Sequence, residues 1–439
     1  AGGSAGWRVS EENFWKNSRL GTVVNEFKLR SSYGQVGNTG IGNFASLSLF
    51  GSGLYGTVPT FTFGQAGNPD LRWEISNNLD LGFAFGLFND RISGEFTYYQ
   101  KRVNDLVLNE PQAPSRGIPG TLPGATPNSV ATNIGSMENK GIELAITSNN
   151  ITRGKFNWTT SFNVTTLQNK VLSLANNNAD IFGFTGGLEN ANIVRVGESI
   201  GSIFAIRTNG VNPVNGQRIF VRTATLPDGT TQEQQIQYNH SAPPAQRWTF
   251  VSDGTVAPPI SGSDRVVIGN ALPKWFGGFD NTFKYGNLEL SVFLQYSGGN
   301  VIYNGTKAGL RDQRPWNNHT DMLNRWQQAG DVTNIPRPVL NDNVSNGSAN
   351  PITENVEKGD FLRGRNLSLA YTLRNDLLRR ASIASLRVYA QVQNAFVITN
   401  YTGADPEIST NGNTNIAPGI DRNSTPQART YSLGVGLNF

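Results

Sequence analysis

The last ten residues, Thr430 to Phe439, alternate in polarity without a break. Tyr431, Leu433, Val435, Leu437 and Phe439 fall on one face of an extended strand, and Thr430, Ser432, Gly434, Gly436 and Asn438 on the other, because strand side chains alternate with a period of two. A fully periodic final strand with an aromatic at its end suits the closing strand of a transmembrane β-barrel, whose apolar face meets lipid. A short alternation of this kind also fits any half-buried strand. The fold class therefore depends on whether the rest of the chain repeats it.

It does. In the fullest instance Trp73, Ile75, Leu79, Leu81, Phe83, Phe85 and Leu87 share one face, against Glu74, Ser76, Asn78, Asp80, Gly82 and Ala84. Soluble strands average about five or six residues, so a tilted membrane strand with an extension explains this length better. Further strands are expected around Trp7–Val9, Phe27–Tyr33, Ile92–Tyr99, Ile142–Ile146, Phe156–Val164, Trp275–Tyr285, Leu288–Tyr296, Leu367–Leu373 and Leu386–Ile398. The span from Asn169 to Ala271 carries only weak strand signals, at Ser202–Arg207 and Arg218–Arg222, and reads as too polar for a core strand set.

Composition agrees. Of 439 residues 15% are charged, against roughly a quarter in soluble domains. No run approaches a transmembrane helix, and a barrel needs none because its backbone groups pair between strands. A net charge of +4, spread without basic runs, argues against a nucleic-acid partner. The absence of cysteine excludes disulfide frameworks and thiolate metal sites.

Two regularities favour a membrane barrel over a soluble sheet. Short connections such as Asn89-Asp90 and Gly286-Asn287 alternate with long Gly-, Ser- and Asn-rich ones, as periplasmic turns alternate with extracellular loops. Charges in the strand centres, among them Lys28, Arg30, Asp80, Glu95, Glu143, Lys284, Glu289 and Arg387, oppose the apolar stripe. Arg363 and Arg365 break that rule and are expected to snorkel towards headgroups from the long-loop end of their strand. Trp73, Phe88, Trp275, Tyr285, Tyr431 and Phe439 would supply interfacial girdles. The expectation is an all-β, transmembrane antiparallel barrel of about eleven strands with long extracellular loops. An odd count with ends on opposite sides points to half of something larger.

Candidate site residues are few. His240 and His319 are far apart in loops and have no metal-type neighbours; satisfied polar loop residues are the expectation. Asp405 and Glu407 flank a proline in a Gly/Asn loop, where turn formation or contact with a partner explains them better than acid–base work. Trp316, Arg325 and Trp326 lie in the long loop after Gly298 and could stack on a sugar or peptide, or merely pack the loop. Gly201-Ser202-Ile203-Phe204 is no phosphate loop, since no strand feeds it into a helix.

Several blocks, in order, carry a resemblance. They are Lys28-Leu29-Arg30-Ser31-Ser32-Tyr33-Gly34, Asn68-Pro69-Asp70-Leu71-Arg72-Trp73-Glu74 and Gly135-Ser136-Met137-Glu138-Asn139-Lys140-Gly141-Ile142-Glu143. Later come Leu272-Pro273-Lys274-Trp275-Phe276-Gly277-Gly278, Phe361-Leu362-Arg363, Gln393-Asn394-Ala395-Phe396 and Asp405-Pro406-Glu407. In these the chain resembles, end to end, the C-terminal barrel portion of the SusC/RagA family of TonB-linked outer-membrane transporters. The resemblance implies a barrel of about twenty-two strands, of which residues 1–439 form the C-terminal part, with the plug and N-terminal strands outside the chain. It also implies TonB-energised uptake of oligosaccharides or peptides at the bacterial outer membrane, together with a SusD-like surface lipoprotein. Lipid or lipopolysaccharide would surround the wall. It brings no cofactor and no chemistry on the substrate, and the plug and TonB contact would belong to the rest of the barrel. Trp316, Arg325, Trp326, Asp405 and Glu407 become candidates for contact with substrate or lid, and Tyr431, Leu433, Val435, Leu437 and Phe439 for the strand that closes the barrel. Two other readings remain: a structural barrel subunit without transport, and a secreted carbohydrate-binding β protein.

Overall fold

Alternating sequence becomes long strands in the computed structural model, which describes residues 1–38, 40–112, 115, 117–118, 129–133, 135–186, 190–373, 378, 382–412 and 414–439. Eleven follow one another: β1 (Gly2–Arg8), β2 (Val24–Asn38), β3 (Glu74–Leu87), β4 (Ile92–Asn104), β5 (Gly135–Arg153), β6 (Phe156–Thr166), β7 (Trp275–Tyr285), β8 (Leu288–Gly298), β9 (Phe361–Leu373), β10 (Ser385–Thr399) and β11 (Thr430–Asn438). The first is displaced from its expected place, because Val9 is buried and belongs to a 3-10 turn, Val9–Glu11. The turn expected near Asn375–Ser385 falls largely outside the described residues, as does much of the Pro/Gly-rich connection between Val103 and Asn133.

The described chain divides into two compact units. The first holds Ala1–Asn149, Ser161–Asp180 and Arg195–Glu198. Within it β1 to β5 form an antiparallel meander. The register aligns Leu29 with Phe83, Phe83 with Phe96 and Phe96 with Leu144, so one apolar row crosses four strands. Phe83 and Phe96 stack with ring centroids 5.3 Å apart. On the other face Arg30 pairs with Glu95 at 2.9 Å and donates to Thr97 at 2.5 Å. The β3–β4 turn places Phe88, Asn89 and Asp90 all at positive φ. Asn and Asp accept that conformation most readily among non-glycine residues. The connection from Gln35 to Pro69 is less irregular than its composition predicts. It contains an exposed hairpin, Leu49–Tyr55 paired with Val58–Gln65.

The second unit comprises Asn150–Thr160, Ile181–Val194 and Ser199–Phe439. Here β7 to β11 form a second antiparallel meander. Lys284 and Arg387 each meet Glu289 at 3.1 Å. Opposite them Leu290, Leu369, Val388, Tyr431, Leu433 and Val435 are all exposed, although each faces the apolar side. That is the pattern of a sheet whose solvent on this side is lipid.

Two expectations need correction. First, Arg363 and Arg365 do not reach outward, and Arg363 is only 3% exposed. A β-bulge at Arg365 is the reason. Leu294 pairs with Gly364 while Phe293 pairs with Asn366, so one residue of β9 goes uncounted and the parity flips. Arg363 thereby aligns with Gln295 on the polar face, and Leu362 with Tyr296 on the apolar one. The charge rule holds for β9 once the bulge is included. Gly364 belongs to the same device, because a Cβ there would stand 2.6 Å from the Phe396 ring.

Second, the span from Asn169 to Ala271 contains many of the most deeply buried described residues, Ile193, Ile203, Ala205 and Ile236 among them. Seven short strands between Ile181 and Gly269 make a sheet of their own. Its core gathers Ile206, Phe220, Ile236, Tyr238 and Ile352. A second cluster joins Ala191, Ile203, Tyr303, Ala308 and Ile420. The sequence signals only two of these strands, weakly, at Ser202–Arg207 and Arg218–Arg222, because a strand buried on both faces carries no alternation. Ser202 to Ala205 and Arg218 to Val221 are buried without a break. Each fully buried aliphatic or aromatic side chain there contributes about 1.5–3 kcal/mol.

Candidate functional site

The long connections of the second unit build a side-chain cleft on the short helix Gly305–Leu310. Asn304 starts that helix, its side chain accepting from the Lys307 amide at 2.8 Å. After the helix the chain turns tightly. Asp312, 1% exposed, accepts from the Arg314 amide at 2.8 Å and receives the Arg314 guanidinium at 2.5–3.0 Å through both carboxylate oxygens. Burial alone would raise the Asp312 carboxyl, but these donors outweigh it and hold it below the usual carboxylate range. Asn318 ties the turn back to the Leu310 and Asp312 carbonyls. Trp316, between these anchors, is thrust out and is 64% exposed.

The opposite wall comes from the segment after the Ile420–Asp421 strand, which runs parallel to Tyr303–Asn304. Arg422 donates through Nη1 to the Gly305 carbonyl at 2.7 Å and passes close over Gly309. Asp421 beside it is buried and accepts from the Tyr401 hydroxyl at 2.6 Å. Burial, and then that bond, push the Tyr401 hydroxyl well above the usual phenol range. The cleft has a volume of about 330 Å³ and is lined by Arg314, Trp316, Asn317, Ser348, Arg422 and Asn423 with the helix.

Glu357 joins the two connections that follow β8 and β10. It receives Lys307 at 3.1 Å, Asn304 at 3.2 Å and both the amide and the hydroxyl of Thr402 at 2.7 and 2.8 Å. Burial works to raise its carboxyl, but the Thr402 amide and Lys307 prevail and the group is lowered.

The other candidates take distinct places. Asp405 and Glu407 lie in a buried cluster at the β9 bulge. Arg363 Nη2 meets Asp405 at 2.5 Å, its Nε meets Glu407, and Arg365 meets Glu407 at 2.5 Å. Arg365 also reaches Gln295, Asn394 and Gln427, and the Gln427 amide donates to Asp405. Trp326 lays its ring over Gly216, whose φ of +72° leaves room for no side chain, and donates to the Pro213 carbonyl at 3.0 Å. Arg325 closes the turn Thr320–Asn324 on the Met322 carbonyl. His319 caps that turn by accepting from the Asp321 amide, and His240 bonds to the Tyr238 hydroxyl at 3.1 Å. Tyr431, Leu433, Val435, Leu437 and Phe439 align along the exposed face of β11. The cleft thus contains Trp316 but none of the other loop candidates. Sequence reading missed Asp312, Arg314 and Arg422. Charge singles none of them out, because the same loops also carry Lys307, Arg311, Asp321 and Asp421, and Arg422 finds its partner Gly305 117 residues away.

Comparison with known proteins shows what the chain is similar to. Residues 3–187 match the family described as TonB dependent receptor-like, beta-barrel. Along its whole length the chain is 31% identical to TonB-dependent receptor P3 of Formosa agariphila, covering 41% of that protein. Over residues 3–187 the strands match that receptor-barrel family. Over 99% of its length the chain is also 27% identical to TonB-dependent receptor SusC of Bacteroides thetaiotaomicron, covering 39% of it. The chain superposes on a chain of the RagAB peptide transporter structure with a TM-score of 0.78 at 22% identity, over all of this chain and 43% of the other. That likeness is one of fold. The chain therefore spans about two fifths of the relatives it matches.

Proposed function

We propose that this chain is the C-terminal barrel portion of a TonB-energised outer-membrane importer of the SusC/RagA type. It takes up oligosaccharides or peptides together with a SusD-like surface lipoprotein. The observation that carries the reading is alignment with TonB-dependent receptors over the entire chain, joined to strands whose apolar face is exposed along β7 to β11. In this reading the strands supply the wall of the conduit, and β11 pairs onward through Tyr431, Leu433, Val435, Leu437 and Phe439 to close it. The plug, and the segment on which TonB pulls, come from the remainder of the receptor. Trp316 lies where substrate passes. Asp405 and Glu407 fix the loop on which the lid rests, while Arg325 and Trp326 hold the neighbouring loop in shape. The strand charges turn to the lumen, where they face the plug.

The test is extraction of outer membranes in mild detergent, followed by intact-mass analysis of everything that co-purifies. Recovery with plug-bearing sequence, in the same or a second polypeptide, and with a lipoprotein agrees with the proposal. Recovery from the soluble fraction as a monomer without detergent would overturn it.

A further inference from the structure

The cleft beside Trp316 combines features that the wall of a conduit does not require. Arg314 is held at a fixed angle by its forked pairing with Asp312 and is still 44% exposed at the side chain. That pair is electrically neutral. Arg422 is different: one arm of its guanidinium rests on a backbone carbonyl, and among the described residues it forms no ion pair. The neighbouring Asp421 carboxylate is instead occupied by Tyr401 and, at 3.4 Å, by the Thr306 hydroxyl. The cleft therefore carries one uncompensated, half-buried positive charge with free donors, beside an exposed indole. Asn317, Ser348 and Asn423 complete its lining with amides and a hydroxyl.

We infer that the cleft formed by Trp316, Arg314 and Arg422 binds an acidic sugar unit, whose carboxylate or sulfate meets Arg422 while its ring stacks on Trp316. Planar guanidinium groups match such oxyanions in a forked geometry, and the bond is charge-assisted. The indole offers a flat apolar surface to the C–H face of a pyranose. The amides and hydroxyl answer a ring that bears hydroxyl groups. An acidic peptide would satisfy Arg422 equally, but the exposed indole of Trp316 beside Asn317, Ser348 and Asn423 suits a hydroxyl-bearing ring better. The volume falls in the range of small-ligand sites. The inference rests on the importer reading for its biological meaning and narrows the substrate to anionic glycan.

The experiment is calorimetric titration of the detergent-solubilised protein with trigalacturonate, maltotriose and triaspartate. Trigalacturonate is expected to bind at least tenfold more tightly than either of the others. Arg422→Gln and Trp316→Ala should each weaken it tenfold or more, and Arg422→Lys, which keeps the charge but loses the fork, should recover only part of the affinity. Because Trp316 is exposed, loss of binding in its variant does not report unfolding. Equal binding of maltotriose would overturn the charge reading, and equal or tighter binding of triaspartate the sugar reading. Unchanged affinity in both variants, or no binding of trigalacturonate, would overturn the site. The titration uses no energy source, so binding that survives alongside failed TonB-dependent uptake counts against the importer reading alone.

Discussion

At the scale of residues, charge burial organises the loops. Arg363 is almost fully buried between Asp405 and Glu407. Replacing one member of such a group strands the others without compensation, at a cost of about 3–5 kcal/mol. Arg363→Met should therefore lower thermal stability by that order, read from the loss of the heat-modifiable band on gels. A change within about 1 kcal/mol, the scale of an exposed pair, would show that the cluster is ornamental. Arg365→Gln should cost less, since that side chain is 25% exposed. Glu357 makes a pH prediction. Its carboxyl is lowered in the fold from an ordinary value of 4.5. Its contribution is fully present above about that pH and is lost as pH falls through the depressed value. Proteolysis of the loops should accelerate below pH 4.5, and Glu357→Gln should flatten that dependence. An identical acid profile in the variant would remove Glu357 from the account.

At the scale of elements, strands that separate two media could be read from sequence, and strands that do not could not. Strands β2 to β11 were visible because one face is apolar and the other polar, while β1 was expected later, around Trp7–Val9, than it lies. The loop sheet was only faintly legible, at Ser202–Arg207 and Arg218–Arg222, because Ile203, Ile206 and Phe220 are buried and leave no alternation. The β9 bulge left a readable trace, two arginines out of phase around Gly364, whose meaning needed the register of β8. Of the candidate site only Trp316 was legible, as an aromatic in a polar loop. Arg422 acquires its role from Gly305 and Trp316, distant in sequence. Two substitutions follow from these elements. Val435→Arg, on the apolar face of β11, should cost roughly 2–4 kcal/mol of folding free energy in vesicles, and Ser432→Arg on the opposite face far less. Equal costs would mean that the exposed face of β11 does not meet lipid. Phe220→Ala should cost about 3–5 kcal/mol and open the loop sheet to hydrogen exchange while β7 to β11 stay protected.

At the scale of the whole molecule, the chain presents two kinds of surface. Its strands present apolar side chains outward and paired charges on the other face. Its loops fold into a water-facing structure with its own cores, and that structure holds the cleft. Such a division suits an importer in which the wall is passive and the loops select what enters. The central claim is that the receptor containing this chain performs energised uptake. The most direct measurement follows a labelled substrate into cells carrying that receptor, with TonB present and with TonB deleted. The account predicts accumulation that depends on TonB and collapses when the proton gradient is dissipated. Accumulation that is the same in both strains, or absent in both, would contradict it.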